Sequence, residues 1–359
     1  MNRSLLKKHF EDHPLMEPVD AVKLAYQHAF GCGHLMPRME DTQRMIQHEM
    51  DGIPEDASVP VSESIGGGLC RLNLAAPRVR ALGALWIARM MRATEMEVLH
   101  RHSGDLLFTG ALMDVEWAVQ QGLTAFSLED WKAYERFHRD LGRPVVSHSN
   151  AYREAYAPHY RVVLENFVDL LPVIEKLHDG KNLIVLDGPC GSGKSTLGRA
   201  LAGMEWHAPL MMDDFFLPFD LRTEERLAQP GGNVHYERFR NEVLMHLDDG
   251  LITFNRYDCA TGTLVEKKVR VDEVGVIEGS YSHHPFFDDI YDKRNALRVY
   301  VDVDPGEQLR RIQKRNPDMA ERFRNTWIPL EKRYFEAYDI KDRADVIVKC
   351  TSPLREDDD

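Results

Sequence analysis

The sequence predicts two domains of different class: a mainly α-helical half over residues 1–178, and an α/β half with a doubly wound parallel sheet over residues 179–359. Three observations carry this. In the first half apolar residues recur at helical spacing, from Val19, Val22, Tyr26, Ala29 and Phe30 onward. From Leu183, short apolar strand-like runs alternate with helical patterns, the order expected of a parallel sheet covered on both faces. A chain of 359 residues also exceeds what one ordinary core organises.

Composition narrows the function classes. A net charge of −13 sets the surface against a phosphate backbone, so nucleic acid is not an expected partner. Cys32, Cys70, Cys190, Cys259 and Cys350 are scattered, odd in number and free of any C-x-x-C pair, which suggests no disulfide framework and fits a reducing cytoplasm. No apolar stretch has the length of a signal peptide or a membrane span, so a soluble cytoplasmic protein with no membrane partner is expected.

Along the first half, the helix over 19–30 is followed by a second set of helically spaced residues, Met39, Met45, Ile46 and Met50. Pro54 to Ser64 reads as a loop leading to Gly66-Gly67-Gly68 and Arg71. A long periodic segment then includes Leu82, Leu85, Trp86, Met90, Leu99, Leu106, Leu107 and Leu112. Ser127-Leu128-Glu129-Asp130 resembles a capping box with Asp in place of Glu. Leu164 to Leu177 looks helical, with Pro172 expected to kink or divide it, and Gly180 reads as a C-cap. The domain boundary is placed there.

Three features of this half have chemical readings beside plainer ones. His28, Cys32, His34 and Cys70 are zinc-ligand types, but their spacing is no standard pair and a buried Cys more often serves as a small hydrophobe. Gly66-Gly67-Gly68 with Arg71 presents amides to an anion, or forms an interhelical loop. Ser147 to Arg161, dense in hydrogen-bonding and aromatic groups, lines a substrate pocket or an interdomain seam. No known family is recognised in this half.

In the second half the expected strands are 183–187, 209–213, 274–278, 297–303 and 345–349. The expected helices are 194–203, 236–248 and 305–315. A hairpin is expected from Leu251–Phe254 and Leu264–Lys267, turning through Ala260-Thr261-Gly262. The apolar run Leu183–Leu186 ends in Asp187-Gly188-Pro189-Cys190-Gly191-Ser192-Gly193-Lys194-Ser195-Thr196. This is a G-x-x-x-x-G-K-S phosphate-binding P-loop between a buried strand and a helix start. Gly188 and Gly193 permit the tight backbone. The amides of Cys190, Gly191, Ser192, Gly193 and Thr196, with the helix N-terminus, point at a polyphosphate. Lys194 reaches the β- and γ-phosphates, and the Ser195 hydroxyl completes a magnesium shell.

Asp213, at the end of the strand after the P-loop helix, is placed to accept a hydroxyl proton, with Asp214 the lesser candidate and a substrate contact. Glu278 ends the apolar strand 274–278 and is the second metal-holding residue. On the helix opened by Asp304-Pro305, Arg311 and Arg315 stand four apart and are expected to close over the polyphosphate as a lid. His235 and Tyr257 are candidate acceptor contacts.

Residues 181 to 350 resemble the uridine kinase and phosphoribulokinase-like group of P-loop small-molecule kinases. The likeness rests on Gly188 to Thr196, Asp213-Asp214-Phe215-Phe216, Tyr257-Asp258, Ile277-Glu278-Gly279 and the arginine-rich helix. It implies that Asp213 is the catalytic base and that Glu278 assists magnesium. It also marks departures: Val234 stands where uridine kinases carry the Asp that holds ribose hydroxyls, and Gly262 where they carry a His against the pyrimidine. Tyr257 alone is retained. The expectation is an ATP- and Mg2+-dependent transfer of the γ-phosphoryl group to a hydroxyl of a small metabolite other than uridine. No N-K-x-D guanine motif is apparent, GTP is the open alternative donor, and homo-oligomerisation is left open. The competing reading is a nucleotide-dependent switch whose helical half binds a partner. Asp213 favours the kinase, since a switch positions water through a Gln and needs no such base.

Overall fold

The computed structural model describes residues 1–32, 38–99, 103–177, 180–205 and 207–351. The chain divides into two compact units, Met1–Val168 and Asp169–Asp359. Among the described residues no helix is long and apolar enough to cross a membrane.

Unit 1 opens with helices α1 (Arg3–Asp12), α2 (Pro18–Phe30) and α3 (Met39–Gly52). Pro18 at the first turn and reciprocal bonds between Glu17 and Asp20 start α2. Strands β1 (Ser62–Gly66) and β2 (Leu69–Asn73) follow, then α4 (Pro77–Leu99), α5 (Gly104–Gln120), α6 (Leu128–Asp140) and α7 (Asn150–Tyr156). Ser127 and Asp130 form the expected capping box at α6. Strand β3 (Tyr160–Leu164) pairs antiparallel with β2, giving a three-stranded sheet in the order β1-β2-β3 within the otherwise helical unit. Gly66 to Gly68 are therefore a hairpin turn and not an interhelical loop: all three have positive φ, and a Cβ on Gly66 would lie 3.2 Å from Nδ1 of His28. The loop read over Pro54–Ser64 gives way to β1 at Ser62.

Helix α8 (Asn166–Leu177) runs through Pro172 as one helix. Unit 2 then lays down β4 (Leu183–Asp187), α9 (Lys194–Gly203), β5 (Leu210–Met211), α10 (Glu224–Ala228) and α11 (Tyr236–Glu242). A two-stranded hairpin of β6 (Leu251–Asp258) and β7 (Thr263–Arg270) follows, then β8 (Gly275–Glu278), α12 (Asp288–Lys293), β9 (Leu297–Asp302) and α13 (Pro305–Arg315). The chain closes with α14 (Ala320–Arg322), a π-turn over Phe323–Trp327, α15 (Ile328–Ala337) and β10 (Val346–Lys349). The five-stranded sheet has the order β10-β9-β4-β8-β5, every pair parallel. β4 is buried throughout, as a central strand covered on both faces must be. Leu183, Val185, Ile277, Phe215, Phe239 and Phe254 belong to one core cluster.

Two spans are shorter than the sequence suggests. The strand expected over 209–213 stops at Met211, and Met212–Phe215 winds as a 3₁₀ turn. The helix expected over 236–248 stops at Glu242, with a 3₁₀ turn over Leu244–His246. The chain runs from β4 to β5 and β8 on one side and then crosses over to β9 and β10 on the other, so the winding reverses beside β4. The crevice at its carboxyl end is where ligands of such sheets settle.

Candidate functional site

The carboxyl end of β4 is fixed by a buried charge. The Asp187 carboxylate accepts from the Gly188 amide at 2.6 Å, the His283 amide at 2.8 Å, the Tyr281 amide at 3.2 Å and the Tyr334 hydroxyl at 2.8 Å. Four donors are what a carboxylate with no solvent exposure needs. The loop that follows turns on glycines with positive φ: Gly188 at 142°, Gly191 at 74° and Gly193 at 101°. Gly193 caps α9, so the loop amides and the helix N-terminus face the same cleft.

Lys194 is nearly buried, and its ammonium donates to the loop's own Gly188 and Pro189 carbonyls at 2.7 and 2.9 Å. Ser195 donates to Glu278 at 3.3 Å. Glu278 is positioned by close packing of α9 on β8, where a Cβ on Gly198 would meet the Glu278 Cγ at 3.1 Å. Burial pushes the Glu278 carboxyl up to about 7, with the Asp213 charge adding and Lys194, Ser195 and Arg199 opposing. Asp213, on the 3₁₀ turn after β5, presents its side chain to solvent within the cleft. The surrounding cleft walls still desolvate its carboxyl and raise its pKa, Lys194 pulls it down, Asp214 pushes it up and Arg315 pulls it down.

These groups surround one cavity of about 350 Å³. Cys190, Gly191, Gly193, Lys194, Ser195 and Thr196 form its floor. Lys194, Asp213, Glu278, Arg315 and Glu331 supply its ionisable side chains, and Phe216, Tyr281, Phe323 and Trp327 an aromatic wall. Ser192 is buried within the loop, and its hydroxyl makes no hydrogen bond.

Six residues singled out in the sequence are not among those lining the cavity: Gly188 and Ser192 of the loop, and Asp214, Arg311, His235 and Tyr257. Asp214 turns to Lys267 on β7, 2.7 Å away. Arg311 straps the loop through other groups: its guanidinium donates to Glu307 at 2.6 Å, to the Ser192 carbonyl at 3.2 Å and to the Cys350 carbonyl at 2.8 Å. His235 caps α11 and lies 3.1 Å from Glu237. Tyr257 is buried on the hairpin with its ring edge toward Phe219.

Phe323, Trp327 and Glu331 of this site escaped the sequence reading. Glu331, buried on α15, accepts the Cys190 amide with both carboxylate oxygens, at 3.1 and 2.9 Å, and the Ser280 hydroxyl at 2.7 Å. Burial raises its carboxyl pKa, Lys194 opposing. The helical spacing of Phe323, Trp327 and Glu331 was the signal available for them.

In unit 1, Nδ1 of His28 bonds the Ile65 carbonyl at 3.0 Å and the Cys32 thiol donates to the Met91 carbonyl at 3.4 Å. Burial pushes that thiol up to about 12. Cys70 is buried on β2, and His34 lies outside the described residues. His28, Cys32 and Cys70 do not form a ligand group among the described residues. Arg71 is buried, and its guanidinium donates to Gln27, Glu63 and Tyr152. Within Ser147–Arg161, His148 joins Asp20 at 2.7 Å and Tyr160 at 2.5 Å, while Tyr152, Tyr156, His159 and Tyr160 line a cavity inside unit 1.

No family model matches the chain, and no curated protein matches it. Among solved structures the chain is similar to one described as "Structure of a Possible Uridine Kinase from Bacillus stearothermophilus", at 20% identity, over 47% of this chain and 89% of that one, with a TM-score of 0.35. At that TM-score the likeness decides neither fold nor chemistry.

Proposed function

We propose that unit 2 is an ATP- and Mg2+-dependent phosphotransferase, built on a P-loop, that moves the γ-phosphoryl group to a hydroxyl of a small metabolite. The observation that carries this reading is a convergence at the carboxyl edge of one parallel sheet: the glycine loop with Lys194 and Ser195, the acids Asp213 and Glu278, and Arg315 all border one cavity.

The residues fit both ligands. Lys194 rests on loop carbonyls, and the Ser192 hydroxyl is orphaned beside them. Two neighbouring acids, each raised by burial and by a carboxylate neighbour, favour a bound cation. When bound, magnesium neutralises charge on the phosphate oxygens during transfer.

The Gly191 and Gly193 amides and the α9 N-terminus bind the phosphates; the Cys190 amide, expected to join them, is held by Glu331, and the Ser192 amide by the Pro189 carbonyl. Lys194 exchanges the Gly188 and Pro189 carbonyls for phosphate oxygens, and Ser195 and Glu278 hold the metal. Arg315 stabilises negative charge on the group in flight. Asp213 accepts the acceptor's proton as the acceptor oxygen bonds to phosphorus and the bond to the departing ADP oxygen breaks. Its raised pKa makes it a stronger proton acceptor than an ordinary aspartate. The aromatic wall shields the phosphorus from competing water. Val234 and Gly262 offer no polar side chain to a nucleoside, which supports an acceptor other than uridine.

The test is acceptor-stimulated ADP release from Mg-ATP across nucleosides, vitamins and sugar-like hydroxyl compounds. With a responsive acceptor, Asp213→Asn should bind ATP as before and lose at least about a hundredfold in kcat. Full transfer by that variant removes Asp213 as the base. Slow ADP release that no acceptor stimulates favours the nucleotide-dependent switch.

A further inference from the structure

We propose that unit 1 carries a divalent transition-metal site built from His9, His13 and Glu63, on the wall of its own cavity. His9 lies on the last turn of α1 and His13 is the residue that caps its C-terminus, the two rings stacked 6.0 Å apart, and Glu63 faces them from β1. One ring nitrogen from each histidine and a carboxylate oxygen all lie within 4.8 Å of one another.

A buried ring nitrogen of His9 without a hydrogen-bond partner makes this more than a cluster. His9 is 2% exposed, and its Nε2 lies 2.8 Å from the Ser64 carbonyl, which can only accept. The proton of neutral His9 therefore belongs on Nε2, leaving Nδ1 with a bare lone pair. That Nδ1 is buried and makes no hydrogen bond, yet it stands 3.1 Å from Oε1 of Glu63. Either a second proton on His9, which makes an ion pair with Glu63, or a metal ion lies between these two atoms, and the second histidine facing the same oxygen suits the ion. Bonds of about 2.0–2.1 Å to one ion at tetrahedral to right-angle geometry place neighbouring ligand atoms about 2.9–3.4 Å apart. The observed 3.1 Å falls inside that interval, and Nδ1 of His13 stands 3.6 Å from the same oxygen.

The surroundings resemble the outer shell that metal ligands need. The Ser64 carbonyl orients His9, and Arg71 holds the other Glu63 oxygen at 3.2 Å, turning Oε1 toward the histidines. Nδ1 of His13 meets the His9 carbonyl at 3.1 Å, a bond that ligation through that nitrogen would exchange for the metal. The adjoining cavity, about 500 Å³, leaves room for water or a substrate at the remaining coordination positions, as in catalytic rather than closed structural sites. Two imidazoles and one carboxylate suit Zn2+ or Fe2+ and discriminate against Mg2+.

The site is tested on the full, untagged chain stripped with chelator and titrated with Co2+. The expected result is one equivalent bound, with visible d–d bands lacking thiolate charge transfer, displaced by Zn2+ and unaffected by Mg2+. Zn2+ should also raise the thermal midpoint. His13→Gln and Glu63→Gln should each weaken Co2+ binding at least about a hundredfold, while His48→Gln, at an exposed position on α3, should not. If either ligand variant misfolds, the wild-type Co2+ spectrum and the other variant decide. Absence of a tight equivalent in the wild type, or unchanged binding in a folded ligand variant, overturns the site.

Discussion

Gly188 has no room for a side chain. A Cβ there would sit 2.3 Å from the Val301 carbonyl oxygen of β9, and the φ of 142° lies where other residues are strained. The neighbouring atom is backbone, so relief requires shifting β9 or the loop. Gly188→Ala should therefore cost on the order of 3 kcal/mol in urea unfolding of unit 2 and displace the loop. A variant with wild-type stability would show that the loop is not pinned to β9. The two aspartates of the 3₁₀ turn illustrate the same scale. Asp213 borders the cavity and Asp214 is taken by Lys267, a division that the paired letters in the sequence suggest only through position.

Among the elements, β5 explains both what the sequence carried and what it hid. Leu210-Met211-Met212 is apolar and reads as strand, but pairing with β8 ends at Met211↔Glu278. Met212 packs so closely on Gly279 that a Cβ there would lie 2.7 Å from its own Cβ, and the 3₁₀ turn then sends Asp214 toward the hairpin. That ion pair ties β7 to the turn bearing Asp213. Lys267 is about a quarter exposed, so its loss should cost about 1–3 kcal/mol, less than a fully buried pair. Lys267→Met should lower the unfolding free energy in urea by that amount and loosen Asp213, read as a fall in kcat once an acceptor is known; an unchanged midpoint would leave the pair without a structural role. The strands and loop around β4 were legible because their signal is local: a buried run, glycines at fixed offsets, a helix start. The sheet in unit 1 was not, because β3 follows β2 by a long stretch of helices and Tyr160-Arg161-Val162-Val163-Leu164 sits within a polar, aromatic segment. Glu331 was hidden for a similar reason: its partners Cys190 and Ser280 are far away in sequence.

At the scale of the whole molecule, the two units should answer acid differently. In unit 1, burial pushes His148 down to about 4, its bond to Asp20 opposing. In unit 2, burial pushes His284 down to about 4 and lowers His283 as well. A histidine whose folded value lies below its unfolded 6.5 binds fewer protons folded than unfolded. Its contribution is complete above 6.5 and is lost as pH falls toward 4. Glu278 works the other way: its folded value of about 7 lies above the unfolded 4.5, so protonation between those values favours the folded state, and raised Asp213 and Glu331 act in the same sense. The opposing effects therefore meet in unit 2. In unit 1 Asp20, Glu49 and Glu63 are all lowered, so their contributions fade only below the ordinary carboxylate range and do not offset His148 there. Hydrogen exchange on metal-stripped protein, corrected for intrinsic rates, should thus show α2 and α7 of unit 1 losing on the order of 1–2 kcal/mol of protection between pH 7 and 5, with β4 and β8 of unit 2 changing less. Equal losses in both units, or a ring titration of His148 near 6.5 by NMR, would mean that burial does not hold the imidazole neutral against the pull of Asp20.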